Sequence, residues 1–498
     1  MRVKSTDIAL MVVIVAVWGV TALRSHGYYH ADEHYQIIEF AGWKLGTHDG
    51  DELAWEFHKQ IRPALQPTIC YFIISIAEYL DVKDPYTQAT LLRLLTAGLA
   101  MMVLFFFATH AIDYFGIGHK KAFFVACFLL WFIPFINVRF SSETWSGLTF
   151  MLCIGFILRY LKGGKSMQLP IAGLMAGLSF LFRYQAAILI LSLVLWLLIV
   201  RRERVSAIKR FGVPVFLVIL SGIAIDHWFY GEFTLTAWNY FRVNIIEDAA
   251  AGFGVAPWYD YIIYILKYPG LPIGIVILLS FFLLLIRQPK NLLLWITLPF
   301  IAVHSALAHK EARFLFPVVN YIPALVFIAW DELKGLGEER LKAFERLSVK
   351  MLLVLILLVN FTGLAAMMSK SAGIGRMTIT RYIQKNYPTG EKILLYTPWS
   401  NPFNPWHSLP VKFYQIENLE TRKIISVCEP DSMNLISEKI ILLAVRKDDL
   451  AGRNCLDQLE GKGFELRKRS IPEWMEKLNR FYGIMNRGDI LFLYELEK

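Results

Sequence analysis

The chain contains 498 residues, 56% of them hydrophobic and 18% charged, with a mean hydropathy of +0.46. That balance excludes an ordinary water-soluble domain, because most of the length needs lipid as its solvent. The net charge of +10 is not a nucleic-acid signal: much of it lies in short loops between apolar runs, and no nucleic-acid-binding motif accompanies it.

The first apolar run, Asp7 to Leu23, lacks a convincing small-residue cleavage site and is followed by many further runs, so it reads as a retained anchor rather than a signal peptide. Next comes an acidic cluster, His30-Ala31-Asp32-Glu33-His34-Tyr35-Gln36. Between Tyr35 and Leu45 the apolar residues Ile37, Ile38, Phe40, Ala41 and Leu45 recur at near-helical spacing among Gln36, Glu39 and Lys44. Gly46 is a natural stop, so this predicts a short helix lying in the membrane interface. The segment Ala64 to Leu80 is apolar but short, and Pro63, Pro67, Glu78 and Asp81 flank or interrupt it.

Spans long enough for roughly 30 Å of hydrocarbon are expected near 7–23, 88–112, 121–138, 144–161, 167–184, 186–200, 211–229, 268–286, 291–308, 313–331 and 350–369. The basic loop Arg201 to Arg210 should stay in the cytoplasm. Counting from it puts the loops with Lys120/Lys121, Lys162/Lys165, Arg287/Lys290 and 331–350 on the same side. Arg2 and Lys4 join them if Ala64 to Leu80 is re-entrant or interfacial rather than spanning. The result is an α-helical polytopic membrane protein of about eleven spans. The acidic cluster, Arg139–Glu143, Arg183, the 230–261 loop and a basic cluster at His309-Lys310-Glu311-Ala312-Arg313-Phe314 then share the extracytoplasmic face. Beyond Ala372 the chain becomes more polar. Residues 392–396 and 489–494 read as strands, and 432–437 and 473–481 as helical pieces. Residues 1–370 are accordingly assigned to a transmembrane catalytic domain and 371–498 to a small extracytoplasmic α/β domain.

The five cysteines show no metal-ligand spacing. Cys70, Cys127 and Cys153 lie in apolar surroundings, whereas Cys428 and Cys455 can pair if their region is outside the cytoplasm.

The two clusters suit a reaction in which a hydroxyl loses a proton and a phosphate leaves. Asp32 and Glu33 are adjacent, so one can act as general base while the other orients hydroxyls, and Asp32 is the favoured base. A helix N-cap is the bland alternative. His30 and His34 are four apart and open a metal alternative beside a hydrogen-bonding one. His309, Lys310 and Arg313 offer donors at helical spacing that match a lipid phosphate, with Glu311 among them. A row of basic side chains snorkelling to the headgroups is the alternative there. Arg139, Glu143, Arg183, Asp226 and Glu247 are either site residues or interhelical ion pairs.

At these positions the chain resembles glycosyltransferase family 22. The resemblance is carried by His30–Gln36, by Trp55–Pro67 with Ile61-Arg62-Pro63, by Arg139–Glu143, and by Asp226…Tyr230-Gly231 with Asn239-Tyr240…Asn244. Its most specific stretch is His309-Lys310-Glu311-Ala312-Arg313-Phe314-Leu315-Phe316-Pro317, with weaker echoes at 398–407 and 487–489. Ala31 stands where the family pattern has Pro, Arg183-Tyr184-Gln185 where it has an Arg-Pro-Thr-like stretch, and Thr397 where it has Cys.

The resemblance implies the GT-C fold and an inverting α-mannosyltransferase. Its partners would be a polyprenyl-phosphate sugar donor, a glycolipid or lipid-linked glycan acceptor, and membrane lipids, with no nucleic acid. Asp32 and Glu33 would be catalytic; His309, Lys310 and Arg313 would hold the donor lipid phosphate. His30, His34, Gln36, Arg139, Glu143, Arg183, Asn239 and Glu311 would contact substrates. No cofactor is expected, and no metal is required, although a divalent cation is compatible. Transfer of another sugar, such as an aminopentose, is the alternative within the same class. A lipid or solute transporter is the alternative outside it.

Overall fold

A computed structural model describes residues 5–47, 49–334, 344–372, 375–387, 390–398, 401–403, 409, 411–427, 440–450, 452, 455–482 and 490–496. Two compact units emerge. One comprises Met1–Gly19, Lys59–Ile69 and Arg93–Ala365; the other comprises Val20–His58, Cys70–Leu92 and Ala366–Lys498.

Among the described residues, five helices are long and apolar enough to cross a membrane: Asp7–Arg24, Pro85–Phe115, Ser142–Leu161, Val205–Tyr230 and Lys350–Ser369. The number rises to seven if two bent pairs each count as one span. The chain is thus a membrane protein with several apolar helices.

Two of the expected spans prove to be broken. The run expected over 121–138 forms two helices, Lys120–Leu129 and Phe132–Asn137, because Leu130 is extended (ψ 119°). Pro134 falls in the first turn of the second piece, where its missing N–H costs nothing. The run expected over 313–331 bends by 64° between Ala312–Val319 and Ile322–Lys334. Leu271–Arg287 and Leu292–Ala306, expected as separate spans near 268–286 and 291–308, are both found as helices and meet at 118°. Asn291 caps the second of these helices, its side chain accepting the Leu293 N–H at 2.9 Å.

In the first unit, the helix Gln168–Phe182 packs on Val205–Tyr230 through glycines. A Cβ on Gly173 would overlap the carbonyl oxygen of Phe211, and one on Gly177 would lie 2.7 Å from Cβ of Val218. Gly173 and Gly177 are four apart, so they present one small-residue face along which two apolar helices approach closely.

The second unit carries a five-stranded sheet in the order β2-β1-β3-β5-β4. Its strands are β1 (Ile393–Thr397), β2 (Leu419–Lys423), β3 (Ile440–Arg446), β4 (Phe464–Arg469) and β5 (Leu491–Leu496). β1 runs parallel to β2 and β3, while β5 is antiparallel to β3 and β4. Alternate residues serve two cores. Leu395, Leu442, Ala444 and Leu493 pack with Ile379 and Ile383 of the helix Arg376–Asn386. Leu394, Leu443, Val445 and Phe492 face Leu459 and Met475 on the other side. Such two-sided burial explains why β3 is a continuous apolar run.

Strands expected over 392–396 and 489–494 are found as β1 and β5, and the expected helix over 473–481 as Glu473–Tyr482. The helical piece expected at 432–437 lies outside the described residues. β2, β3 and β4 were not anticipated; β3 is a continuous apolar run, and β2 and β4 are edge strands rich in charge (LETRK and FELRKR), which discourages further pairing and hides the strand signal. Cys455 is disulfide-bonded, whereas Cys428 lies outside the described residues. Cys70, Cys127 and Cys153 are free and buried, as the sequence suggested.

Candidate active site

The acidic cluster belongs to the second unit. His30 is extended (φ −131°, ψ 151°) and caps a single helical turn, Ala31–Glu33, its Nδ1 accepting the Asp32 N–H at 3.3 Å. The cap is therefore His30, and the carboxylates sit inside the turn, where the helix dipole favours them. Because His30 precedes the helix, it does not share an i,i+4 face with His34.

The two carboxylates have different fates. Glu33 is buried and its Oε2 accepts the Tyr29 N–H at 3.2 Å. Asp32 keeps 20% of its side chain exposed, with His30 Nδ1 3.4 Å from Oδ1. Asp32 is thus the carboxylate better presented to a ligand.

The chain then makes a π-turn, His34–Ile38, before an α-helix, Glu39–Leu45, that ends at left-handed Gly46 (φ +79°). The expected helix and its stop are both present, but its polar residues are not a solvent face. Glu39 and Gln36 are buried; Glu39 bonds His34 Nε2, and Gln36 donates to Glu56 Oε1 at 2.9 Å. Burial pushes the Tyr28 and Tyr35 phenols well above their usual range, so both serve as neutral groups.

The basic cluster belongs to the first unit. The helical spacing assumed for His309, Lys310 and Arg313 does not occur there. Glu311 is extended (φ −134°, ψ 146°), and a 3-10 turn starts only at Ala312. Glu311 instead links the two ends, its Oε1 lying 2.8 Å from His309 Nε2 and its Oε2 paired with Arg313 Nε.

Arg313 Nη1 also reaches Glu143 Oε1 at 2.9 Å, and Arg183 Nη1 reaches the same oxygen at 2.8 Å. Glu143 sits in the first turn of Ser142–Leu161, capped by Ser141; Arg183 ends Gln168–Phe182. Both guanidinium carbons lie over the Phe314 ring, at 5.3 Å for Arg183 and 5.2 Å for Arg313. Lys310 Nζ donates to the carbonyls of Ala256 (2.9 Å) and Leu307 (2.6 Å). Burial also pushes the Tyr261 phenol up, with Glu311 nearby.

The structure thus joins His309, Glu311, Arg313, Glu143 and Arg183 in one network. Asn239 bonds elsewhere, donating to Gln60 O and Thr234 Oγ1. Arg139 is buried with its guanidinium 5.9 Å from the Phe135 ring. Among the described residues no group of three or more His, Cys, Asp or Glu side chains is arranged to hold a metal ion. Sequence reading missed Glu39, Glu56, Phe314 and Tyr261. Of these, Phe314 and Glu56 stood in quoted stretches, and none has a spacing that marks its partner in advance.

A family profile described as the Alg9-like mannosyltransferase family matches residues 8–415, which include both clusters. The chain belongs to that family. It is a mannosyltransferase of the GT-C class. Among relatives, GPI mannosyltransferase 3 of Candida albicans is 24% identical over 407 residues, covering 81% of this chain and 76% of that one. Human GPI alpha-1,2-mannosyltransferase 3 is 24% identical over 399 residues, covering 77% and 68%. Among solved structures, ArnT from Cupriavidus metallidurans bound to undecaprenyl phosphate superposes with a TM-score of 0.52 over 99% of this chain and 98% of that one, at 12% identity. That likeness shows the fold of this mannosyltransferase. Its relatives favour mannose over the aminopentose alternative.

Proposed function

We propose that this mannosyltransferase moves mannose from a polyprenyl-phosphate donor to a hydroxyl of a glycolipid of the GPI type, forming an α-linkage with inversion. The supporting observation is the whole-family match together with relatives named as GPI mannosyltransferases over three quarters or more of this chain. The human relative is named for an α-1,2 linkage, and the proposal carries that linkage over.

In this reading Asp32 removes the proton as the acceptor oxygen attacks the anomeric carbon, and the C–O bond to the lipid phosphate breaks. Lys310, Arg313 and His309 stabilise the negative charge growing on that phosphate, where preorganised donors lower the barrier most. Glu143 and Glu311 hold Arg183, Arg313 and His309 in place, His30 steadies Asp32, and Arg139 lies among the substrate-facing groups. Glu33, His34, Gln36 and Asn239 shape the substrate surroundings. Polyprenyl phosphate leaves readily when so paired, so no metal or other cofactor is assigned. The charge count of the loops supports an extracytoplasmic reaction face, with residues 1–370 as the transmembrane catalytic domain and 371–498 as an α/β domain on that side.

The test is reconstitution of the purified protein in liposomes with defined polyprenyl-phosphate sugars and a mannosylated glycolipid acceptor. Transfer from the mannose donor, with an α-1,2 linkage in the product, is expected. Transfer only from another sugar donor, or movement of lipid without covalent change, would overturn the reading.

A further inference from the structure

His34 was expected to touch substrate, yet it is fully buried, with 0% exposure. Its imidazole lies between two phenol rings, Tyr28 at 5.1 Å and Tyr414 at 5.5 Å, both nearly parallel to it (24° and 18°). A carboxylate accepts at Nε2, so the hydrogen sits on that nitrogen and is given to Glu39 Oε1. A group so enclosed acts through its neighbours.

The pair depends on an unusual backbone. In an α-helix, residues five apart point roughly 140° away from each other. Here the Glu39 N–H donates to His34 O, the i→i+5 bond of a π-turn, which brings residue 39 back over residue 34. The π-turn begins directly after Asp32-Glu33, so whatever holds the turn holds the carboxylates.

The same pair grips a distant stretch of chain. Glu39 Oε1 accepts the Phe413 N–H at 3.3 Å, and Tyr35 OH donates to Leu409 O at 2.8 Å. Lys412 pairs with Glu52, and Tyr414 packs 4.7 Å from Tyr86. These contacts all fall within the second unit. The family match stops at residue 415, directly after this stretch.

We infer that His34 and Glu39 are positioning residues. The pair clamps the 411–414 segment and Leu409 against the π-turn that directly follows Asp32-Glu33, and thereby fixes the direction in which Asp32 is presented. The inference rests on the reading of Asp32 as the base. It makes the 409–414 segment part of the machinery for proton removal.

The experiment compares Glu39→Gln, Glu39→Ala and His34→Phe with the wild type in the liposome assay. Hydrogen exchange of residues 409–415 is measured alongside. Glu39→Gln keeps an acceptor for both His34 and Phe413, and should retain kcat within about fivefold, because a neutral hydrogen bond remains in place. Glu39→Ala should lose about 10²-fold in kcat, the cost of an ångström-scale misplacement, with donor KM within about twofold. Its exchange at 409–415 should rise. His34→Phe preserves the ring stack while removing the Nε2–H, so it keeps the test open if Glu39→Ala does not fold; it should show the same kcat loss and the same exchange. Unchanged kcat, a change confined to KM, or unaltered exchange at 409–415 would each overturn the clamp. Asp32→Asn run in parallel separates the two ideas. Turnover there removes Asp32 as the base, whereas the clamp is then judged on exchange alone.

Discussion

Arg183 and Arg313, 40 and 170 positions further along the chain, donate to the same oxygen, Oε1 of Glu143, at 2.8 and 2.9 Å. All three side chains are at least nine-tenths buried. Two guanidinium groups this close are tolerable only because one carboxylate serves both, with Glu311 taking the other edge of Arg313.

Removing that carboxylate should therefore be costly. Glu143→Ala leaves two buried cations without their common partner and should destabilise the protein by about 3–5 kcal/mol. Thermal unfolding in detergent, compared with Ser221→Ala at an exposed site as a control, measures it. An unchanged midpoint would show that the network contributes nothing to stability.

Arg313→Lys keeps the charge but not the fork. A lysine cannot serve Glu143 and Glu311 together, so transfer should fall about tenfold or more, the worth of one charge-assisted hydrogen bond. Steady-state kinetics with the mannose donor report it; wild-type kcat/KM would mean that charge alone suffices at 313.

Asp32→Asn should reduce turnover by about 10²–10⁴-fold, the usual contribution of a positioned general base. Asn preserves size and leaves the backbone N–H that His30 Nδ1 accepts unchanged, so folding and donor binding should persist. Single-turnover measurements with labelled donor separate binding from chemistry, and substantial turnover would assign the base elsewhere.

Asp226 joins two segments of the first unit, accepting the Ala64 N–H at 2.8 Å through Oδ1 and the Thr236 hydroxyl through Oδ2. Asn can orient its oxygen to Ala64 and its NH2 to the hydroxyl oxygen, so Asp226→Asn should cost less than about 1 kcal/mol, whereas Asp226→Ala should cost about 1–3 kcal/mol. Limited proteolysis near Lys59 should distinguish them. Equal protection in the two variants would contradict the bridging role.

Gly173→Ala places a methyl against the Phe211 carbonyl, which is backbone and cannot swing aside. The helices must separate, and a loss of about 1–3 kcal/mol is expected. Gly212→Ala, where a Cβ meets nothing within 4 Å, is the control, and equal melting of both would refute close glycine packing.

Legibility in the sequence followed the range of the forces involved. Apolar runs such as 88–112 and 350–369 report helices directly, because lipid forces each segment to satisfy its own backbone hydrogen bonds. β1 and β5 were readable for a related reason, being buried strands of apolar residues. The edge strands β2 and β4 were not, because their charged side chains face water, and β3 was missed as well, because a short buried apolar run has no period that separates strand from helix. The two clusters stood out by residue type alone, since ionisable groups beside apolar runs are expensive and seldom incidental.

Partnership was another matter. The Arg183–Glu143 and Arg313–Glu143 bonds join residues 40 and 170 positions apart, and no local periodicity encodes such a pairing. His309, Lys310 and Arg313 were placed on a helix because their spacing allows one, yet an extended segment there lets Glu311 bridge His309 and Arg313. His34 and Glu39 meet only because the backbone takes an i→i+5 turn, which α-helical reasoning discards. Residue chemistry therefore announced an acidic and a basic cluster and the family to which they belong. Which carboxylate stays open and which is turned inward depended on backbone geometry and on contacts between residues far apart in the chain.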